Sequence, residues 1–129
     1  SNGKGRLDEH SYDSLKELDF GHWFSNKFKG ETLLSLRECL QLVQNLGLKA
    51  NIEIKSPTPE LRLKTATAVL ICINEYWDME RSEPLISSFD KHLLFQIREL
   101  SPDILLGYLC YQWDESWYQF TKKCNWITT

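Results

Sequence analysis

The stretch Asn51-Ile52-Glu53-Ile54-Lys55 decides how this chain is read. The apolar lead-in Leu46-Gly47-Leu48-Lys49-Ala50 precedes it, and Ser56-Pro57 ends it. Side chains on a strand alternate between two faces. Ala50, Ile52 and Ile54 therefore share one face, and Asn51, Glu53 and Lys55 share the other. The apolar face can pack under helices. The second face presents an amide, a carboxylate and an ammonium in a row toward the strand's C-terminal end. In parallel α/β folds that end is where sites are built. Pattern alone leaves a second reading open, an edge strand whose polar face meets water.

Upstream, Ser1 to Leu7 holds two glycines and reads as loop. Ser11 caps a short helix over residues 12–18, with Leu15 and Leu18 inward and Gly21 as its stop. His22-Trp23-Phe24 and Phe28 follow without helical or strand period, as a compact aromatic loop over residues 21–30. Ser35 and Glu38 form a capping box. The helix after them carries Leu36, Cys39, Leu40, Val43 and Leu46 on one face, and Gly47 ends it.

Downstream, Thr58-Pro59 starts a helix whose stripe is Ala66, Val69, Leu70, Ile73, Tyr76 and Trp77. Residues 85–89 form a short strand, and Asp90 caps a helix with inner face Leu93, Leu94, Ile97 and Leu100. Residues 104–109 form an apolar strand, 114–123 a weaker helix with Trp117 and Phe120, and 126–128 the start of another strand. Strands alternate with helices and no hairpin signal joins two strands. That order predicts an α/β fold of parallel strands with helical crossovers.

The totals exclude several classes. One domain or part of one fits 129 residues. A net charge of -3 argues against a nucleic-acid footprint, and no apolar run approaches the ~20 residues of a membrane span. Cys39, Cys72, Cys110 and Cys124 match no zinc spacing. They are expected to be buried reduced thiols, which favours a reducing, cytoplasmic setting.

The chain opens in a loop and ends inside a strand signal, and Glu53 and Lys55 need an enclosed space opposite the helices. A barrel rim supplies that space, and a complete (β/α)8 barrel takes ~250 residues. The expectation is therefore about half of a TIM (β/α)8 barrel.

At this point the residues carry a resemblance. Ser1-Asn2-Gly3-Lys4-Gly5-Arg6 is followed by Leu15-Lys16-Glu17-Leu18-Asp19-Phe20-Gly21-His22-Trp23-Phe24, Leu36-Arg37-Glu38, Asn51-Ile52-Glu53-Ile54-Lys55 and Leu85-Ile86-Ser87-Ser88-Phe89. In that order they resemble the glycerophosphodiester phosphodiesterase family over essentially the whole chain. Leu34, where the family usually has proline, and His22 depart from its pattern. The resemblance implies a TIM barrel with a small insertion after the second strand. Residues 1–30 would be most of that insertion, and residues 31–129 the β/α units.

The implied activity is metal-dependent hydrolysis of glycerophosphodiesters, such as glycerophosphocholine, to glycerol 3-phosphate and an alcohol. The implied cofactor is one divalent cation, Mg²⁺ or Ca²⁺. Glu53 matches the family's third metal carboxylate, and Lys55 a lysine that points into the same site. The catalytic histidines, in H-R-G and H-D motifs, and two carboxylates, in an E-x-D motif, are expected before Ser1. A closing W-T-V-N strand is expected after Thr129. None of these motifs occurs in this sequence, so the chain alone is expected to be inactive and to self-associate through open barrel edges.

The chemistry left on the chain is compact. Glu53 is the candidate metal ligand, since hard cations take oxygen donors. Lys55 is the candidate transition-state clamp and substrate contact, with a salt bridge to Glu53 compatible with that role. Asn51 reads as a structural hydrogen-bond partner. Phe89 and Trp113 are the candidate substrate-binding aromatics. Ser88 is an alternative to Phe89, and Tyr111 lies on the same rim loop as Trp113; for that loop, packing is an equal reading. His10, His22 and His92 have no acid, base or metal partner at recognisable spacing. The alternative function is a non-catalytic interaction or scaffold module derived from the barrel, with residues 22–28 as its partner surface.

Overall fold

The computed structural model describes residues 1–56, 58–112, 115, 118, 127 and 128. The chain divides into two compact units, Ser1–Cys39 and Leu40–Thr129.

In the first unit, α1 (Tyr12–Lys16) starts where Ser11 accepts the Ser14 N–H on its side chain. Leu15 is buried and Leu18 half-buried, as the apolar spacing requires. The helix does not run to Gly21. It closes at Glu17, and Leu18 N–H bonds back to Leu15 O at 3.1 Å. Gly21 serves a different purpose. A Cβ there would lie 1.9 Å from Phe28 O, so only glycine lets the two arms of the aromatic loop come this close.

The Asp19 carboxylate closes the same loop. Its Oδ1 accepts the N–H groups of Gly21 and His22, and its Oδ2 accepts that of Gly30, each at 2.9 Å. Those backbone donors, from His22 and Gly30 first, hold the carboxyl below the usual range.

The capping box forms as expected at the start of α2 (Leu36–Asn45). Glu38 N–H donates to Ser35 Oγ at 3.2 Å, and Ser35 N–H donates to Glu38 Oε2 at 2.8 Å. The Ser35 backbone N–H and hydroxyl, then the Tyr12 hydroxyl, pull the Glu38 carboxyl down to about 2, so the cap keeps its charge in mild acid.

The C-terminus of α2 is a Schellman motif. Gly47 has φ +69, Gly47 N–H reaches Gln44 O at 2.9 Å, and Leu48 N–H reaches Val43 O at 3.0 Å. Leu40 is buried on the stripe, but Leu46 is 63% exposed. Cys39 is exposed and Cys72 and Cys110 are half-buried. These three are not the buried hydrophobes expected. Cys124 lies outside the described residues.

The second unit holds a parallel sheet in the order β1-β2-β3-β4: Asn51–Glu53, Leu85–Ser88, Leu105–Tyr108 and Ile127–Thr128. β1 is shorter than the expected strand. Its pairing with β2 nevertheless continues at both ends, through Leu85 N–H to Ala50 O (3.0 Å) and Ile54 N–H to Ser87 O (2.8 Å).

α3 (Arg62–Tyr76) is preceded by a 3-10 turn, Pro59–Leu61. Pro59 opens the turn as its sequence position suggests, but Thr58 caps it without a side-chain bond. α4 (Lys91–Leu100) is capped by Asp90, which accepts from His92 and Leu93 N–H. Burial raises the Asp90 carboxyl pKa. The Arg62 guanidinium and those N–H groups outweigh it and hold the carboxyl below its usual range.

Ile54, Ile86 and Leu106 bury one sheet face. Ala66, Leu70 and Ile73 from α3, with Leu93, Leu94 and Ile97 from α4, complete the core. A fully buried Leu or Ile contributes about 1.5–3 kcal/mol. Leu100, expected on this inner face, is 47% exposed at the last residue of α4. The expected helix over residues 114–123 lies outside the described residues apart from Glu115 and Tyr118, which are helical; Trp117, Phe120 and Trp126 lie outside them too.

The aromatic loop yields a stability test. Gly21→Ala should destabilise the fold by about 1–3 kcal/mol, because the backbone at Phe28 must move to admit the methyl group. Denaturant unfolding checks this, and an unchanged midpoint would show that the loop is not held closed at Gly21.

Candidate functional site

The register of the sheet decides which side chains share a face. Asn51 lies beside Leu85, Ile52 beside Ile86 and Glu53 beside Ser87; Leu85 and Ser87 in turn lie beside Leu105 and Gly107. Paired residues of parallel strands point the same way. Asn51, Glu53, Leu85, Ser87 and Leu105 therefore share the face opposite the helices. Gly107, beside Ser87, leaves that position of the face without a side chain.

Two serines fix β1 against β2. Ser87 is fully buried, and its hydroxyl donates to Asn51 Oδ1 at 2.8 Å. This is the structural hydrogen bond expected of Asn51. Ser88 is 1% exposed and points the other way. Its hydroxyl donates to Ile54 O at 2.7 Å and accepts the Asp90 N–H at 3.0 Å. It thereby ties the end of β1 to the cap of α4. Ser88 is thus a buried brace between the strands and the α4 cap, away from the face where a lining role was considered for it. The sequence pattern carries no register, so the two serines could not be read from it as the partners.

Glu53 and Lys55 stand at the C-terminal end of β1 on the polar face. Lys55 Nζ lies 3.3 Å from Glu53 Oε1, with side-chain exposures of 78% and 36%. The anticipated ion pair therefore forms, and it leaves much of the ammonium open.

Phe89 follows β2 and is 40% exposed, stacked on Tyr111. Trp113 lies outside the described residues. A recess of about 390 Å³ is lined by Lys49, Ala50, Asn51, Glu83, Leu85 and Leu105. It opens at the N-terminal ends of the strands, away from Glu53 and Lys55.

The three histidines lie on different elements. His10 Nε2 lies 3.0 Å from Lys4 O, His22 is in the aromatic loop, and His92 is exposed on α4. Among the described residues, no three His, Cys, Asp or Glu side chains converge as a metal site. Glu53 has the oxygen donor that a hard cation takes, but it stands as one donor and not a complete set. Among the described residues, no helix is long and apolar enough to cross a membrane.

Parallel β/α units with a carboxylate and an ammonium at their C-terminal rim define the class, and comparison with known proteins gives the family. Residues 1–128 match the model of the glycerophosphoryl diester phosphodiesterase family, and the chain belongs to that family. It is 33% identical over 112 residues to a glycerophosphodiester phosphodiesterase of Caldanaerobacter subterraneus subsp. tengcongensis, covering 84% of this chain and 44% of the relative.

Among solved structures it resembles a phosphodiesterase of Oleispira antarctica in complex with the product sn-glycerol-3-phosphate. The TM-score is 0.89 at 25% identity, over 98% of this chain and 52% of that one. A glycerophosphodiester phosphodiesterase of Parabacteroides distasonis shares the fold at TM-score 0.65 and 18% identity, over 92% of this chain and 56% of that one. The chain thus spans about half the length of the relatives it matches. Its fold is α/β, about half of a TIM (β/α)8 barrel.

Proposed function

We propose that this chain supplies the central β/α units of an enzyme that hydrolyses glycerophosphodiesters to glycerol 3-phosphate and an alcohol. The observation that carries the reading is the Glu53–Lys55 pair at the C-terminal rim of a parallel sheet in a chain of this family. The product held by the Oleispira antarctica relative, sn-glycerol-3-phosphate, supports the substrate class. Residues 1–30 are read as the insertion segment and residues 31–129 as the barrel units.

Glu53 is proposed as one ligand of a divalent cation, Mg²⁺ or Ca²⁺. Such an ion supplies Lewis-acid polarisation of a phosphoryl oxygen when bound. The donor type fits, while the number of donors on this chain does not complete a site, so the remaining ligands belong to another part of the barrel.

Lys55 places a fixed ammonium beside the position a phosphoryl group would take, where negative charge builds during displacement. The ion pair with Glu53 orients that ammonium before substrate arrives, and Asn51 and Ser87 hold the strand beneath it. Proton transfer is assigned to no group of this chain; the reading leaves the acid and the base to another part of the barrel. Free thiols at Cys39 and Cys110 suit a reducing, cytoplasmic setting.

Two outcomes test the reading. The purified chain should release no glycerol 3-phosphate from glycerophosphocholine above a metal-only control, and it should associate through its open strand edges. Turnover by the chain alone would show that its own side chains complete the chemistry. In the complete barrel, Lys55→Ala should lower kcat by about 10²–10³, the effect of losing one charge-stabilising donor. An unchanged kcat at saturating substrate would reduce Lys55 to a salt-bridge partner.

A further inference from the structure

The link between β1 and α3 carries Lys55, and both of its ends are tied to one short turn. That turn, Ser88-Phe89-Asp90, runs from the last residue of β2 to the cap of α4. At the first end the Ser88 hydroxyl donates to Ile54 O at 2.7 Å, and it accepts the Asp90 N–H at 3.0 Å. At the second end the Arg62 Nε–H donates to Asp90 Oδ2, inside an ion pair whose side chains are 25% and 26% exposed. Residues 55–61 therefore run between two anchors, and the anchors are hydrogen-bonded to each other.

Neither helix requires this ion pair. Asp90 caps α4 through Oδ1, which accepts His92 and Leu93 N–H at 3.0 and 3.3 Å, and asparagine caps a helix about as well as aspartate. Arg62 is the first residue of α3, and a cation at a helix N-terminus works against the macrodipole. The second carboxylate oxygen and the guanidinium thus serve each other, across residues distant in the chain. A residue that disfavours its own helix points to a gain elsewhere. What this pair joins is the far end of the Lys55 loop and the turn at the end of β2.

From this we infer that Arg62 and Asp90 are positioning residues for Lys55: their ion pair closes the β1–α3 loop, so that the Lys55 ammonium is aimed from a fixed point of backbone. The inference rests on the functional reading given above and deepens it. Lys55 needs such a hold. Its side chain is 78% exposed, and its ammonium pairs with Glu53 at 3.3 Å. A long side chain in water keeps its rotamer freedom, so its aim depends on where its backbone is held. The Ser88 bond fixes Ile54, the residue before it. Inside the loop, Ser56 Oγ donates to Thr58 O at 2.7 Å, which shapes the loop without tying it to the sheet. Opening the Arg62 end therefore lengthens the free segment that follows Lys55.

The test is steady-state kinetics on the complete barrel, beside a melting curve for each variant. Arg62→Met keeps the stem and removes the charge. It should lower kcat by about 10- to 100-fold with KM nearly unchanged, the upper figure being the loss expected for a displacement of ~1 Å. Arg62→Lys should recover most of that loss. On a Lys55→Ala background Arg62→Met should cause no further loss, because the two act as one unit. Should Arg62→Met not fold, Asp90→Asn keeps the α4 cap and carries the same comparison. An unchanged kcat in a folded Arg62→Met variant, or an undiminished loss on the Lys55→Ala background, would overturn the inference. The ε-methylene resonance of Lys55 gives a second readout that does not depend on turnover. A kcat unmoved by Lys55→Ala, with the resonance shifted by Arg62→Met, would count against the functional reading alone. A kcat lowered by Lys55→Ala, with the resonance unmoved by Arg62→Met, would count against the positioning inference alone.

Discussion

Two buried hydroxyls hold the site face of this protein in register. Ser87 and Ser88 are adjacent, point to opposite sides of β2 and have almost no contact with water. A buried hydroxyl without a partner costs about 1–3 kcal/mol. Each finds its partner on β1, Ser87 in the Asn51 amide and Ser88 in the Ile54 carbonyl. Sliding β1 by one residue would break both bonds and turn Glu53 and Lys55 toward the helices. The carboxylate and ammonium thus stand at the rim because the serines beside them allow one register.

Seen this way, β1 needs little length. Three residues satisfy the strand pattern, and the pairing runs on through Ala50 and Ile54. Ile54 and Ile86 anchor the opposite face in the core with α4, while Ser88 joins the end of β1 to the Asp90 cap. Packing positions the strand, and the polar face is left free for chemistry.

Much of this was legible in the sequence. The alternation in residues 50–55, the Ser35–Glu38 box, the Gly47 stop and the Asp90 cap are local signals, and local hydrogen bonds realise them. What stayed hidden depends on neighbours distant in the chain. Periodicity marks Leu46 and Leu100 as members of apolar stripes, but it does not say where the covering surface stops. The expected Gly21 helix stop is a backbone close approach instead, and the contact involves Phe28. Asp19 was missed although part of its role had a signal. An Asp two and three residues before the N–H groups it binds is an Asx-turn pattern, whereas its third donor, Gly30, lies across the loop. Alternation put Glu53 and Lys55 on one face, and the family resemblance made that face a candidate site. The partnership of Phe89 with Tyr111 was not legible, since it joins two loops.

The central claim is that the polar face of β1 is where a phosphodiester meets a dication, and Glu53→Gln in the complete barrel tests it most directly. The amide keeps the size of the side chain and removes its charge, so it is a much poorer ligand for a hard cation. Calorimetric titration with Mg²⁺ and Ca²⁺, beside a melting curve recorded without metal, separates folding from binding. The expected result is an unchanged melting temperature with metal affinity sharply reduced and partial recovery of activity in excess metal. Unaltered metal affinity in the glutamine variant would contradict the assignment and, with it, the placement of the site on this strand.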